Sequence, residues 1–404
     1  MDRDRFDALT RALATERGSR RSFFGAVAAG LAGFVVSSPS REDAGARKRR
    51  KKTPRRDRRP GNDVTKQIIG GTSVSDGTYP FIAALLNLDN GNTTFEQQFC
   101  GGALVAANYV LTAAHCVEDF ETDQRDLRVV VGRTRLNSTA GVTRSVSRVL
   151  IHPDYDPLSA RHDAALLELS SPVTISPIAL AEPGDDSLEV AGVRLTVIGW
   201  GDTTPQSGDA PVNSAFPDRL QEVQVPVRED QVCEDRLASF DGAIMICAGE
   251  TGKDSCFGDS GGPLFGATNG VRRLSGIVSF GAGCGTSTPG AYTEVNAQPV
   301  CAFIAEELGT CGDPASDVRH CGRCCNACGP ASNQCVNGQC RCGDNAPCSG
   351  GFVCDGAGGC VCPAGTVLCN GACHSTAANP CAPTVRKKRK NKKPRRKHKS
   401  GHRG

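Results

Sequence analysis

Cysteine placement constrains this chain more than any other feature. None of its 22 cysteines precedes Cys100, six are spread over residues 100–284, and sixteen crowd between Cys301 and Cys381. The apolar runs stop at Cys311, and a small segment without them has to be held by cross-links rather than by burial. The chain therefore divides into a body that folds around a core and a module that folds around its cysteines. Cysteine at this density calls for an oxidising compartment or for metal.

The N-terminus points to export. In "SRRSFFGAVAAGLAGFVV" (19–36), paired arginines precede an apolar run of 14 residues. That run is too short to cross a bilayer comfortably and fits the apolar region of a signal peptide. Arg20-Arg21 followed by Ser22-Phe23-Phe24 resembles a bacterial twin-arginine signal. "AGA" at 44–46 supplies small residues for cleavage, so residues 1–46 are assigned as the signal peptide. No later segment is long and apolar enough to span a membrane, which places the product outside the cytoplasm, secreted or extracytoplasmic. Residues 47–67 follow as a basic pro-segment.

Charge is divided sharply along the chain. Residues 1–67 hold 18 Lys/Arg against 8 Asp/Glu, and residues 386–404 hold 12 Lys/Arg and no acid. Residues 68–385 hold 35 acidic and 17 basic side chains, a net of −18. An acidic body thus lies between basic, solvated ends. The basic tail, 384–404, suits an anionic polymer or a cell envelope. It has no interleaved aromatics and so no platform for stacking bases.

From Ile68 onward, short β-branched apolar runs alternate with Gly, Pro, Asn and Asp, as in "LRVVVG", "SVSRVLIH" and "LTVIGWG". This texture predicts an all-β barrel or sandwich over 68–310, closed by one helix in "AQPVCAFIAEELG" (297–309). A cysteine-rich module over 311–383 follows.

The chemistry concentrates in "GKDSCFGDSGGP" (252–263). A serine hydroxyl is a poor nucleophile near neutral pH; it needs an adjacent base, and the base needs a third group to hold its tautomer. Of seven histidines, His115 in "LTAAHC" ends an apolar strand, and His152 and His162 are its competitors. Asp163 precedes "AALLEL" at the mouth of a buried strand, where a carboxylate can be shielded and aimed. Asp154 and Asp156 lie in a polar loop flanked by prolines.

The segments "IIGG", "LTAAHC", "DAALLEL", "GWG", "GDSGGP" and "SFGAGC", in this order, resemble the chymotrypsin/trypsin-type serine peptidases. The resemblance covers residues 68–309. It implies two antiparallel six-stranded β-barrels with a C-terminal helix and the site in the cleft between them. It implies His115 as general base, Asp163 as its orienting group, Ser260 as nucleophile, and an oxyanion hole from the backbone N–H groups of Gly258 and Ser260. It further implies that cleavage before Ile68 frees an α-amino group that pairs with Asp259. The preceding residue is Gln67, so an enzyme cutting after Lys66 leaves one residue too many, and self-activation in one step is not expected. Asp254, six residues before Ser260, takes the floor of the primary pocket. Its walls are Ser279-Phe280-Gly281 and Pro289-Gly290-Ala291, a slot for Arg or Lys. The resemblance also pairs Cys100 with Cys116, Cys233 with Cys247, and Cys256 with Cys284, leaving Cys301 for Cys311 or another cysteine of the module.

The expected activity is therefore a secreted serine endopeptidase made as a zymogen. It needs no cofactor or metal, acts as a monomer, and takes protein or peptide substrates with Arg or Lys. The alternative is a catalytically silent protein that uses the fold and the module as an adhesion scaffold. The spacing of Cys321, Cys324, Cys325 and Cys328 fits zinc as well as disulfides; export favours disulfides, and the module is assigned no ligand.

Overall fold

A computed structural model of the chain describes residues 68–375, apart from 208–213 and short stretches between 322 and 371. The segments expected to be a signal peptide (1–46), a pro-segment (47–67) and a basic tail (384–404) lie outside the described residues.

Six antiparallel strands close the first barrel. After a two-residue strand β1 (Thr72–Ser73), they are β2 (Ile82–Asn87), β3 (Gln98–Ala106), β4 (Tyr109–Thr112), β5 (Leu127–Val131), β6 (Val142–Ile151) and β7 (Ala165–Leu169). They run in the spatial order β2-β3-β4-β7-β6-β5, and β5 pairs back onto β2. β2 and β5 read as nearly continuous apolar runs because both of their faces are covered; Ala83, Leu85, Val129 and Val131 are all fully buried. A short helix α1 (Thr94–Gln97), opened by the capping box of Thr93 and Glu96, leads into β3.

The second half contains β8 (Ala179–Leu180), β9 (Arg194–Gly199), β10 (Gln221–Pro226), β11 (Met245–Ala248), β12 (Pro263–Thr268), β13 (Val271–Phe280) and β14 (Gly290–Glu294). A five-residue helix α2 (Asp230–Glu234) lies between β10 and β11. Six of these strands curl in the order β10-β9-β12-β13-β14-β11, with β1 added beside β10 and β8 beside β13. In β10, Gln221, Val223 and Val225 face inward while Glu222 and Gln224 face out, the alternation of a sheet with one covered face. This half closes less completely than the first. Its seam is one bridge between Val227 and Ala248, flanked by the bonds Arg228 N–H to Cys247 O and Gly249 N–H to Pro226 O.

Helix α3 (Gln298–Glu307) follows β14, with Pro299 in its first turn, where a missing N–H costs nothing. It buries Val300 and Ile304 in the core of the first barrel, and Phe303 packs on His152. The helix therefore ties the end of the second half to the first barrel.

All three disulfides expected within the body are present: Cys100–Cys116, Cys233–Cys247 and Cys256–Cys284. Cys301, on α3, bonds Cys325. Cys311–Cys324 follows, and Gln298 Nε2 donates to the Cys324 carbonyl at 3.0 Å, so the first loop of the module packs on the helix. Beyond it come a hairpin of β15 (Gln334–Val336) and β16 (Gln339–Arg341), turned through Asn337 and Gly338 at positive φ, and two smaller two-stranded pieces. Cys321, Cys324, Cys325 and Cys328 bond four different partners, which excludes a shared set of zinc thiolates. Replacing Cys301 and Cys325 together by serine is expected to lower unfolding stability by about 2–4 kcal/mol. Denaturant titration of the double variant against the parent measures it.

Candidate active site

β4 ends at Thr112. Ala113 stays extended and a 3-10 turn, Ala114–Cys116, lifts His115 out of the barrel. The bridge from Cys116 to Cys100 on β3 fixes this turn. Asp163 stands just before β7, fully buried, after two residues of left-handed backbone, Ala160 and His162. Its carboxylate grips His115 twice: Oδ1 accepts the backbone N–H at 3.0 Å, and Oδ2 lies 2.8 Å from Nδ1. The second half supplies the rest of its shell. Ser279 Oγ donates to Asp163 Oδ2 at 2.6 Å, and Thr293 Oγ1 donates to the Asp163 carbonyl at 3.0 Å.

Burial pushes the Asp163 carboxyl up, but the His115 beside it and the hydrogen bonds from His115 and Ser279 more than offset this and hold it below the ordinary range. Burial pulls His115 down, and the charge and hydrogen bond of Asp163 outweigh that pull, so its pKa is raised. This is the electrostatic arrangement of a base with a fixed tautomer, its Nδ1 hydrogen aimed at the carboxylate and Nε2 left for a substrate-side group.

Ser260 sits between Asp259 and two glycines. Its carbonyl accepts from Gly101 N–H at 2.8 Å. The next residue, Gly261 (φ +75°), leaves no room for a side chain: a Cβ there would meet Thr112 Oγ1 at 2.2 Å and Ala113 N at 3.1 Å. The serine loop is thus pressed onto the turn that carries His115. Among the described residues no hydrogen bond joins Ser260 Oγ to the imidazole, whose Nε2 lies 3.7 Å from Cys116 Sγ. Catalytic hydrogen bonds are commonly long without substrate and tighten in the complex.

Gly258 has φ +91°, a conformation that glycine adopts without strain. Gln98, at the start of β3 and 1% exposed, donates from Nε2 to the Gly258 carbonyl at 3.1 Å and to the Cys100 carbonyl at 3.3 Å. Sequence reading missed this contact; nothing in "EQQFC" marks the glutamine as reaching across to the serine loop.

Asp259 is fully buried. It accepts from Gly201 N–H at 2.8 Å and Cys256 N–H at 2.9 Å, and burial pushes its carboxyl up to about 7. Gly199 and Gly201, on either side of Trp200, fit against it; a Cβ at Gly199 would lie 2.1 Å from Oδ1. Ile68 and Ile69 are buried in the same half, Ile69 directly under Gly285.

Asp254 is 3% exposed. Its Oδ2 accepts from Gly285 N–H at 3.1 Å, while its Oδ1 has no partner. Burial pushes the carboxyl up to about 7. Gly290 lies against Oδ1, Gly281 faces Gly290, and Cys256–Cys284 clamps the surrounding loops. Phe280 is half-buried beside them. Ser279 borders this slot, but its hydroxyl is committed to Asp163. Tyr292 Oη, 3.1 Å from Ser255 Oγ, adds a polar pair near Asp254 that the sequence did not flag.

The competing histidines pair with each other instead. His152 stacks on His162 with ring centroids 4.8 Å apart, and its Nδ1 accepts from Asp154 N–H. Neither ring meets Asp163 in a hydrogen bond among the described residues.

The family model for trypsin matches residues 68–301. The chain belongs to the trypsin family. It is similar to the trypsin of Saccharopolyspora erythraea, 37% identical over 233 residues that make up 57% of this chain and 94% of that protein. Trypsin-1 of Astacus astacus is 38% identical over 243 residues, 57% of this chain and 95% of the relative. A mouse tryptase is 36% identical over 251 residues, 58% and 88% respectively. Residues 68–301 are thus a trypsin-like serine endopeptidase domain, and the cysteine-rich module lies beyond the trypsin match.

Proposed function

We propose that this trypsin-family protein is exported as a zymogen and, once activated, hydrolyses peptide bonds after Arg or Lys. The observation that carries the specificity is Asp254 Oδ1. It is a buried carboxylate oxygen without a partner, at the base of a slot kept open by Gly281 and Gly290. A buried charge left unpaired is costly, and a guanidinium or ammonium entering the slot relieves that cost.

The chemistry follows from the paired groups. His115 Nε2 takes the proton of Ser260 Oγ as the oxygen attacks the scissile carbonyl carbon. The oxyanion is received by the N–H groups of Gly258 and Ser260. As the carbon–nitrogen bond breaks, His115 returns the proton to the leaving amine, leaving an acyl-enzyme on Ser260. Water then attacks the acyl carbon, His115 takes its proton, and as the carbon–Oγ bond breaks His115 returns that proton to Ser260 Oγ and the acid leaves. Asp163 stays ionised and holds the imidazolium. Activation frees the Ile68 amine, whose cation pairs with buried Asp259. Gln67 requires an activating peptidase of different specificity or a trimming aminopeptidase.

The test is a cleavage-site profile on a peptide library, with the N-terminus of the active form sequenced. Cleavage is expected after Arg and Lys, with Ile68 at the terminus; cleavage after other residues would refute the pocket assignment. Asp254→Ser is expected to lower kcat/KM for an Arg-amide substrate by about 10³-fold, the usual scale for removing one partner of a buried charge pair. The pocket also predicts a pH dependence. A carboxyl with pKa near 7 is neutral below that pH and cannot attract a guanidinium. Affinity for an arylguanidine competitor is therefore expected to fall about tenfold per unit below pH 7 and to level off above it. Inhibition constants measured between pH 5 and 9 check it, and a flat profile would contradict it.

A further inference from the structure

Among the described residues, the N–H groups of Gly258 and Ser260 donate to no acceptor. Two open backbone donors in one turn suit a developing oxyanion, provided that both stay aimed. Gly258 is the weak point. Its φ of +91° asks for glycine, and glycine is the residue whose flanking peptide planes turn most freely.

The restraint comes from outside the turn. A trans peptide is planar, so fixing its carbonyl also fixes its N–H in the opposite direction. The plane before Gly258 is held by Asp202 N–H, which donates to the Phe257 carbonyl at 2.8 Å. The plane after it is held by Gln98, whose Nε2 donates to the Gly258 carbonyl at 3.1 Å. With both planes pinned, Gly258 cannot swing and its N–H keeps one direction; releasing either plane frees it. The tethers come from different halves of the body: Asp202 follows β9, and Gln98 opens β3.

Each tether is itself anchored. The Asp202 side chain is fully buried; Oδ1 accepts from Thr204 N–H at 3.0 Å and Ala215 N–H at 2.8 Å, and Oδ2 accepts from Gln206 Nε2 at 2.7 Å. This clasp closes the base of a loop whose next residue, Phe216, lies 3.3 Å from where a Cβ on Gly258 would stand. Gln98 is equally buried, and the same Nε2 reaches the Cys100 carbonyl at 3.3 Å. Cys100 is bridged to Cys116, the residue after His115. One amide group therefore joins the turn that carries Gly258 to the strand that fixes the turn of His115.

We propose that Gln98 is a positioning residue for the reaction: with Asp202 on the other side, it keeps the Gly258 N–H aimed at the oxyanion. The inference rests on the mechanism proposed above and adds the side chain that holds its oxyanion hole in shape.

The test compares two kinds of inhibitor on the activated protein. A peptide aldehyde ending in Arg forms a hemiacetal with Ser260 and puts its oxygen in the hole; an arylguanidine fills only the slot of Asp254. The parent should bind the aldehyde at least about 10²-fold more tightly than the matching alcohol. Gln98→Met keeps the length of the side chain and removes its donor. It should weaken the aldehyde and lower kcat for an Arg-amide substrate together, each by about 10- to 10²-fold. KM and the arylguanidine Ki should stay within about twofold of the parent. Asp202→Asn, which turns an amide hydrogen toward one of three present donors, should give the same split at about tenfold. It approaches Gly258 from the other side and guards against a misfolded first variant; near-ultraviolet circular dichroism checks both. A folded Gln98→Met whose aldehyde Ki and kcat stay within about twofold of the parent would overturn the proposal. So would equal weakening of both inhibitors, the mark of a damaged slot or fold. A parent that does not prefer the aldehyde to the alcohol would remove the hole itself. A parent that ignores both Arg compounds would remove only the Asp254 reading, and the same comparison then uses the residue that the cleavage profile selects.

Discussion

Ser260→Ala is expected to lower kcat for an Arg-amide chromogenic substrate by about 10⁶-fold while leaving the fold intact. On the proposed mechanism the loss is large because the substitution removes the atom that would form the covalent intermediate; His115 and Asp163 would then have nothing to activate. KM should change little, since the Asp254 slot and the loop backbone remain. Gly101 N–H bonds the Ser260 carbonyl rather than its side chain, so the loop keeps its tie to the first barrel. Active-site burst titration and steady-state rates on matched preparations measure the effect. A variant that retains more than about a hundredth of parent activity would remove Ser260 from the role assigned to it.

Asp163→Asn is expected to lower kcat at neutral pH by about 10⁴-fold. The amide keeps the size of the carboxylate but turns a donor toward one of its present donors, His115 Nδ1, His115 N–H or Ser279 Oγ. The imidazole is then driven to the wrong tautomer. A second reading separates this from simple disruption. Asp163 raises the pKa of His115, so its replacement should shift the acid limb of the kcat profile toward lower pH. The sign follows from which form is active: the neutral imidazole acts as base, and losing the neighbouring anion makes protonation harder. A damaged fold would lower the plateau without moving the limb.

Much of this was legible because the determining signals are contiguous. "LTAAHC", "DAALLEL" and "GDSGGP" each join a reactive side chain to the strand end or glycine turn that presents it. His115, Asp163 and Ser260 could therefore be named as candidates from short strings, while Asp254 as a pocket floor came with the family resemblance. The three body disulfides came with the family resemblance. What stayed hidden depends on register between strands far apart in the chain. Ser279 was expected only as a pocket wall, and its bond to Asp163 arises because the end of β13 passes that carboxylate. Gln98 reaches Gly258 across 160 positions. The module resisted for a combinatorial reason: many cysteines permit very many pairings, so Cys325 as the partner of Cys301 could not be singled out. The incomplete seam of the second half was likewise invisible, since its strands read like those of the closed barrel.

The grip of Ser279 and Thr293 on Asp163 spans the two halves of the body. The acid proposed to steady the base is rooted in one lobe and secured by hydroxyls from the other. Parting the lobes by an ångström or two would release it before either lobe melted. On the proposed mechanism, catalytic competence becomes a gauge of how the lobes are seated, and heat or denaturant should extinguish turnover slightly ahead of any spectroscopic sign of unfolding.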